Sequence, residues 1–196
     1  LKIEEGCINK HNVIDEYVNR NLQNIEIKNN LKIAWDVANG AMGKVIKEFT
    51  TRLINTENIL INEEVDGTFP NHHPDPTVPK NMEQLIDTVI KNKCDIGLAF
   101  DGDGDRLGVV DNKGQIIWAD QYMLILCKEI SKIYQNPKII MDVKCSQVFF
   151  NEAKKLNCNP IMSRTGHSPI KEKMKELNSP LSGEMSGHVC YADDFY

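Results

Sequence analysis

The sequence predicts two consecutive α/β domains, each a mixed, mostly parallel sheet covered by helices. Three observations lead there. Short apolar runs alternate with segments whose apolar residues recur at i, i+3, i+4 and i+7, so strand and helix periods take turns along the chain. The alternation comes in two series that divide near residue 117, giving domains over 1–117 and 118–196. Finally, 196 residues with 41% hydrophobic content are enough to bury two small cores, and too apolar for a disordered chain.

In the first series, Leu31 to Val37 is an apolar strand that leads through Ala38-Asn39-Gly40 into a helix whose buried face is Met42, Val45, Ile46, Phe49 and Leu53. Ile59-Leu60-Ile61 is a second strand. Pro70 to Pro79 holds four prolines and reads as a stiff loop. Met82, Leu85, Ile86, Val89 and Ile90 form another helical face, and Ile96 to Phe100 a third strand. Leu107 to Val110 and Ile116 to Trp118 form a hairpin turning at Asn112-Lys113-Gly114.

The second series opens near Ala119 with Tyr122, Leu126, Ile130 and Ile133 on one helix, which ends before Pro137. Ile139 to Val143 is a strand, Phe149, Ala153 and Leu156 mark a helix, Ile161-Met162 a strand, and Ile170, Met174 and Leu177 a helix. In such folds the functional loops lie at the carboxyl ends of the strands.

Charge and composition exclude several classes of function. The net charge is -5, from 23 basic and 28 acidic residues with no basic cluster, so nucleic acid is not an expected partner. No apolar run approaches the roughly 20 residues that span a bilayer, and no signal peptide is evident, although the chain begins at Leu1. The six cysteines include no Cys-x-x-Cys pair, which argues against a zinc ribbon and fits a reduced, cytoplasmic protein.

The most informative segment is Asp101-Gly102-Asp103-Gly104-Asp105-Arg106, directly after an apolar strand. Three alternating carboxylates repel one another unless a cation sits among them, and the glycines let the backbone curl to aim them at one point. Oxygen-only donors suit magnesium or calcium. An EF-hand would need Gly at position six and Glu at position twelve, where this sequence has Arg106 and Asn112. Magnesium (Mg2+) is therefore preferred, with calcium-stabilised structure as a rival.

This loop resembles the metal-binding loop of the α-D-phosphohexomutases. The resemblance implies that Asp101, Asp103 and Asp105 hold magnesium and that Arg106 contacts substrate. Gly183-Glu184-Met185-Ser186-Gly187-His188, by itself no more than a polar turn, is similar to the family's sugar-binding loop. That implies that Glu184 and His188 grip the ring hydroxyls and that Ser186 assists. Met185 resembles the phosphomannomutase/phosphoglucomutase branch, with phosphoglucosamine mutase as an alternative. Asp142-Val143-Lys144-Cys145 resembles the segment whose lysine faces the active site, and Thr165-Gly166-His167-Ser168 the loop whose histidine reaches substrate. Lys144 on its own is as readily a surface lysine, and Thr165 or Ser168 a helix cap. Asp66 to Pro74 also matches. Its adjacent His72 and His73 read as part of a rigid structural loop rather than as metal ligands.

What the resemblance implies is a reversible phosphoryl transfer between O1 and O6 of mannose or glucose phosphates. A hexose 1,6-bisphosphate is the intermediate, and a phosphoserine gives and takes back the group. The family has four domains, and the match covers the second and most of the third. No serine here is followed by His-Asn, as the family's phosphoserine motif requires. The chain is thus expected to be a fragment, inactive by itself, that lacks domains 1 and 4. A non-catalytic module binding magnesium or sugar phosphate is the alternative from another class.

Overall fold

The computed structural model describes residues 6–193. The first sheet contains β1 (Leu31–Asp36), β2 (Thr56–Ile61), β3 (Ile96–Phe100), β4 (Leu107–Asp111) and β5 (Ile116–Ile117) in the order β2-β1-β3-β4-β5. β1 runs parallel to β2 and β3, whereas β4 and β5 add on antiparallel. Being central, β1 must be apolar on both faces. Ile33 and Trp35 pack with Ile46 and Phe49 of α2 (Gly43–Arg52), while Ala34 faces Leu85 and Val89 of α3 (Glu83–Asn92).

The second sheet has the same plan. Its strands β6 (Lys138–Asp142), β7 (Asn159–Ser163), β8 (Leu181–Gly183) and β9 (Val189–Tyr191) run in the order β7-β6-β8-β9, only β9 being antiparallel. Ile139 and Met141 face α4 (Ala119–Ile133) and α5 (Gln147–Lys155), whereas Ile140 faces Ile170 and Met174 of α6 (His167–Leu177). The sheets are therefore mixed and flanked by helices, with parallel and antiparallel pairings together. Val109, buried on β4, belongs to the same apolar cluster as Tyr122 and Met123 of α4, so the two sheets join through packed side chains. Among the described residues no helix is long and apolar enough to cross a membrane.

Three elements are absent from the sequence expectation. α1 (Ile14–Leu22) is mostly polar and fully buries only Val18. It is held on α2 through Arg52, which bonds Asn19 Oδ1 at 2.9 Å and pairs with Asp15. β8 and β9 are three residues each, too short to show a period, and form because β6 offers β8 an unpaired edge.

Both central strands end in an aspartate with no solvent exposure, Asp36 and Asp142. A buried carboxylate needs partners. Asp36 accepts from Ala38 N at 2.9 Å and Asn62 Nδ2 at 3.0 Å, and pairs with His72 Nε2 at 2.8 Å. His72 Nδ1 lies 3.0 Å from the carbonyl of His73. Both ring nitrogens thus face acceptors, which only the imidazolium satisfies. Accordingly the hydrogen bond to Asp36 raises the His72 pKa above its ordinary 6.5, against the opposing effect of burial. His72 therefore pins the 66–79 loop to β1, whereas His73 contributes its backbone carbonyl and leaves its side chain exposed.

A pH dependence follows from this pair. Because the folded-state pKa is raised, its stabilisation is fully present below about 6.5 and is lost as pH climbs through the higher folded value. Urea unfolding is expected to show stability falling from pH 6.5 toward 9. In His72→Ala the fall should vanish, and stability should drop by about 3 kcal/mol because a buried carboxylate loses its partner. A profile equally steep in that variant would place the titrating group elsewhere.

Candidate functional site

The acidic loop begins as β3 leaves the sheet. Asp101 is buried, with Asp103 and Asp105 exposed. Asp101 Oδ1 accepts from the backbone N–H groups of Gly104 and Arg106, each at 3.1 Å, which curls the loop back on itself. Gly104 makes the curl with φ +82°, a conformation that suits glycine. The loop rests on the β1–α2 turn, where Ala41 N donates to the Gly102 carbonyl at 2.9 Å.

One carboxylate oxygen from each of Asp101, Asp103 and Asp105 lies within 4.8 Å of the others. Burial, followed by the charges of Asp103 and Asp105, pushes the Asp101 carboxyl above its usual value, although the Arg106 backbone N–H opposes the shift. Arg106 only partly relieves the crowding. Its Nε is 3.1 Å from Asp101 Oδ2, yet this buried nitrogen makes no aligned hydrogen bond. An oxygen-only donor set with under-compensated negative charge fits a hard divalent cation. Arg106 Nη1 also lies 3.7 Å from Asp75. The Asp75 carboxyl sits below the usual range: burial alone would raise it, but the hydrogen bonds from Thr77 and the charge of Arg106 outweigh that.

The 184–188 loop connects β8 to β9. Glu184 N donates to the His188 carbonyl and Gly187 N to the Glu184 carbonyl, both at 3.0 Å, closing a tight turn. Glu184 is buried at 3% exposure. Its Oε1 accepts from Gly166 N at 2.6 Å, at the start of α6, and its Oε2 lies 2.9 Å from His188 Nδ1. Ser186 Oγ is 2.8 Å from the same nitrogen. Beneath the loop, Asp142 receives Met185 N at 3.2 Å and the Thr165 hydroxyl at 3.0 Å. Asp142 thus ties together the ends of β6, β7 and β8. Thr165 makes that bond rather than capping α6, whose N-cap is Gly166.

The two loops meet. His188 Nε2 stands 3.1 Å from Asp105 Oδ1. Leu107 N, just past the acidic loop, donates to the Gly187 carbonyl at 3.1 Å, and the Tyr122 hydroxyl bridges the Leu107 and Gly187 carbonyls at 3.2 and 3.4 Å. A cleft of about 560 Å³ opens there, lined by Asp105, His167, His188, Lys171 and Arg20 among others. Of the residues singled out in the sequence, the structure gathers Asp101, Asp103, Asp105 and Arg106 with Glu184, Ser186 and His188, and puts exposed His167 on the same cleft. Lys144 is exposed just beyond β6 and does not line it. Asp75, Asp142 and Tyr122 went unassigned in the sequence. The one available signal was an aspartate closing an otherwise apolar strand, as in Lys138–Asp142.

Comparison with known proteins identifies the family and the fold. Residues 15–114 match the family model described as phosphoglucomutase/phosphomannomutase, alpha/beta/alpha domain II, and residues 118–196 match that of domain III. A phosphomannomutase/phosphoglucomutase of Pseudomonas putida is 40% identical over the whole chain, which covers 42% of that relative. A phosphomannomutase of Methanocaldococcus jannaschii is 38% identical over 95% of the chain and 41% of its own length. The crystal structure of a phosphoglucomutase/phosphomannomutase family protein from Burkholderia thailandensis superposes with a TM-score of 0.90 at 38% identity, covering 96% of this chain and 41% of that one. The chain spans about two-fifths of the length of the relatives it matches. With two models of one family together matching residues 15–114 and 118–196, the chain belongs to the phosphoglucomutase/phosphomannomutase family.

Proposed function

We propose that these residues supply the metal loop and the sugar loop of a magnesium-dependent phosphohexomutase, which transfers phosphate reversibly between O1 and O6 of mannose or glucose phosphates through a hexose 1,6-bisphosphate. The observation that carries the reading is the convergence of the two loops from separate sheets, with His188 Nε2 3.1 Å from Asp105 Oδ1. A sugar held on one loop is thereby presented to the charge centre of the other.

The roles follow from donor chemistry. Asp101, Asp103 and Asp105 would hold magnesium, which when bound would offset negative charge on a transferring phosphoryl group. Arg106, whose side chain is 35% exposed beside them, offers forked donors to phosphate or sugar oxygens. Glu184 accepts from ring hydroxyls and His188 exchanges hydrogen bonds with them, Ser186 steadying the imidazole. Groups that grip adjacent hydroxyls can hold the ring in either of two orientations, as a transfer between O1 and O6 requires. His167 adds a donor on the cleft wall, and Lys144 is assigned a phosphate contact in the complete enzyme. The phosphoryl carrier and the substrate-phosphate clamp are assigned to domains 1 and 4 of that enzyme.

Titrating the chain with glucose 1,6-bisphosphate, followed by backbone amide NMR, tests this. Shifts are expected at 183–188 and at the acidic loop. Glu184→Ala should weaken binding about tenfold and His188→Ala about fivefold, the values of a charged and a neutral hydrogen bond. Unmoved 183–188 resonances at saturating ligand would show that the loop is only a turn.

A further inference from the structure

We propose that Asp75 is a positioning residue: by sharing the Arg106 guanidinium with Asp101 and Asp105 it limits how far that charge settles on them, and so sets how tightly the acidic loop holds a divalent cation. This rests on the metal reading of residues 101–105.

Arg106 stands between two sets of carboxylates. On one side its Nε lies 3.1 Å from Asp101 Oδ2 and 4.0 Å from Asp105 Oδ1, and on the other its Nη1 lies 3.7 Å from Asp75 Oδ1. A guanidinium lodged on Asp101 and Asp105 neutralises two of the three carboxylates that a cation would use, so the two compete. Arg106 reaches both sides, its Nε nearer Asp101 and its Nη1 toward Asp75, and the buried Nε makes no aligned hydrogen bond that would lock it to the acidic loop.

Asp75 is built to stay where it is. Its Oδ1 accepts from Thr77 N at 3.0 Å and from the Thr77 hydroxyl at 2.7 Å, and its carbonyl accepts from Asn81 Nδ2 at 2.9 Å. The loop carrying it is fixed to β1 and the turn after it, by His72 on Asp36 and by Asn71 Nδ2 on Asn39 Oδ1 at 2.9 Å. Phe69 and Pro74 also pack beside Gly102 of the acidic loop. Asp75 is therefore a fixed charge outside the ligand set, and the position of Arg106 answers to it.

The test is manganese binding by the 196-residue chain, read by electron paramagnetic resonance. Asp75→Asn keeps an oxygen acceptor for Thr77 but removes the charge, and should weaken binding about fivefold, the upper range for a partly exposed ion pair. Arg106→Ala should strengthen binding, because the competitor is gone. In the Arg106→Ala background, Asp75→Asn should have no further effect, whereas a merely structural role for Asp75 would weaken binding in both backgrounds. Unchanged affinity in Asp75→Asn, an equal loss in both backgrounds, or weaker binding by Arg106→Ala would each overturn the inference while leaving the metal site standing. No saturable binding by the unmodified chain would overturn the metal site and this inference with it.

Discussion

Replacing Asp101, Asp103 and Asp105 together by asparagine is expected to lower manganese or magnesium affinity by more than about 100-fold, without unfolding the chain. The expectation comes from the donor set. The three carboxylates bring one oxygen each to within 4.8 Å of one another. Amide oxygens in their place keep the shape but carry no charge. Loss of outer-shell partners alone costs roughly 10–100-fold in metal affinity, so loss of the ligand charges must cost more. The fold should survive for a local reason. Asp101 Oδ1 accepts two backbone N–H groups, and an asparagine oxygen accepts them equally well. Meanwhile the repulsion and burial that push the Asp101 carboxyl upward disappear. Thermal unfolding without metal should therefore be no worse than in the unmodified chain. Calorimetry showing unchanged cation affinity would end the metal assignment, and cooperative unfolding lost at room temperature would show the loop to be structural first.

Gly187→Ala is expected to cost about 3 kcal/mol and to part the two loops. Gly187 has φ +98°, and a Cβ there would lie 2.8 Å from the Leu107 carbonyl oxygen and 3.1 Å from its nitrogen, both backbone atoms that cannot swing aside. The backbone conformation alone costs an L-residue on the order of 1–3 kcal/mol. The clash would also break the Leu107–Gly187 hydrogen bond and displace the Tyr122 hydroxyl, the contacts that seat the 184–188 loop on β4. For a chain of this size the melting temperature should fall by roughly 6–12 °C. The NMR response of residues 183–188 to glucose 1,6-bisphosphate should be lost as His188 leaves Asp105. Gly67→Ala is the control, since a Cβ there meets nothing within 4 Å. Equal melting temperatures for the two variants would mean that the junction is loose and the close approach unimportant.

The sequence by itself determined the alternation of strands and helices from Leu31 onward, because apolar residues at period two or 3.6 report directly which face is buried. It also made Asp101 to Arg106 stand out, because alternating carboxylates and glycines in one short loop are costly without a purpose, and Glu184 to His188 drew notice beside it through the resemblance of both. It did not show α1, where Ile14, Tyr17, Val18 and Leu22 do recur at helical spacing but only Val18 is buried, nor β8 and β9, which exist only through pairing with β6 and with each other. Only the tertiary structure decided which charges meet. His188 reaches Asp105 across 83 positions of chain, Asp75 reaches Arg106 across 31, and His72 reaches Asp36 across 36. Such partnerships leave no local trace. A buried carboxylate such as Asp36 or Asp142 announces that partners are needed, but which residues supply them depends on where parallel strands end and how the loops beyond them pack.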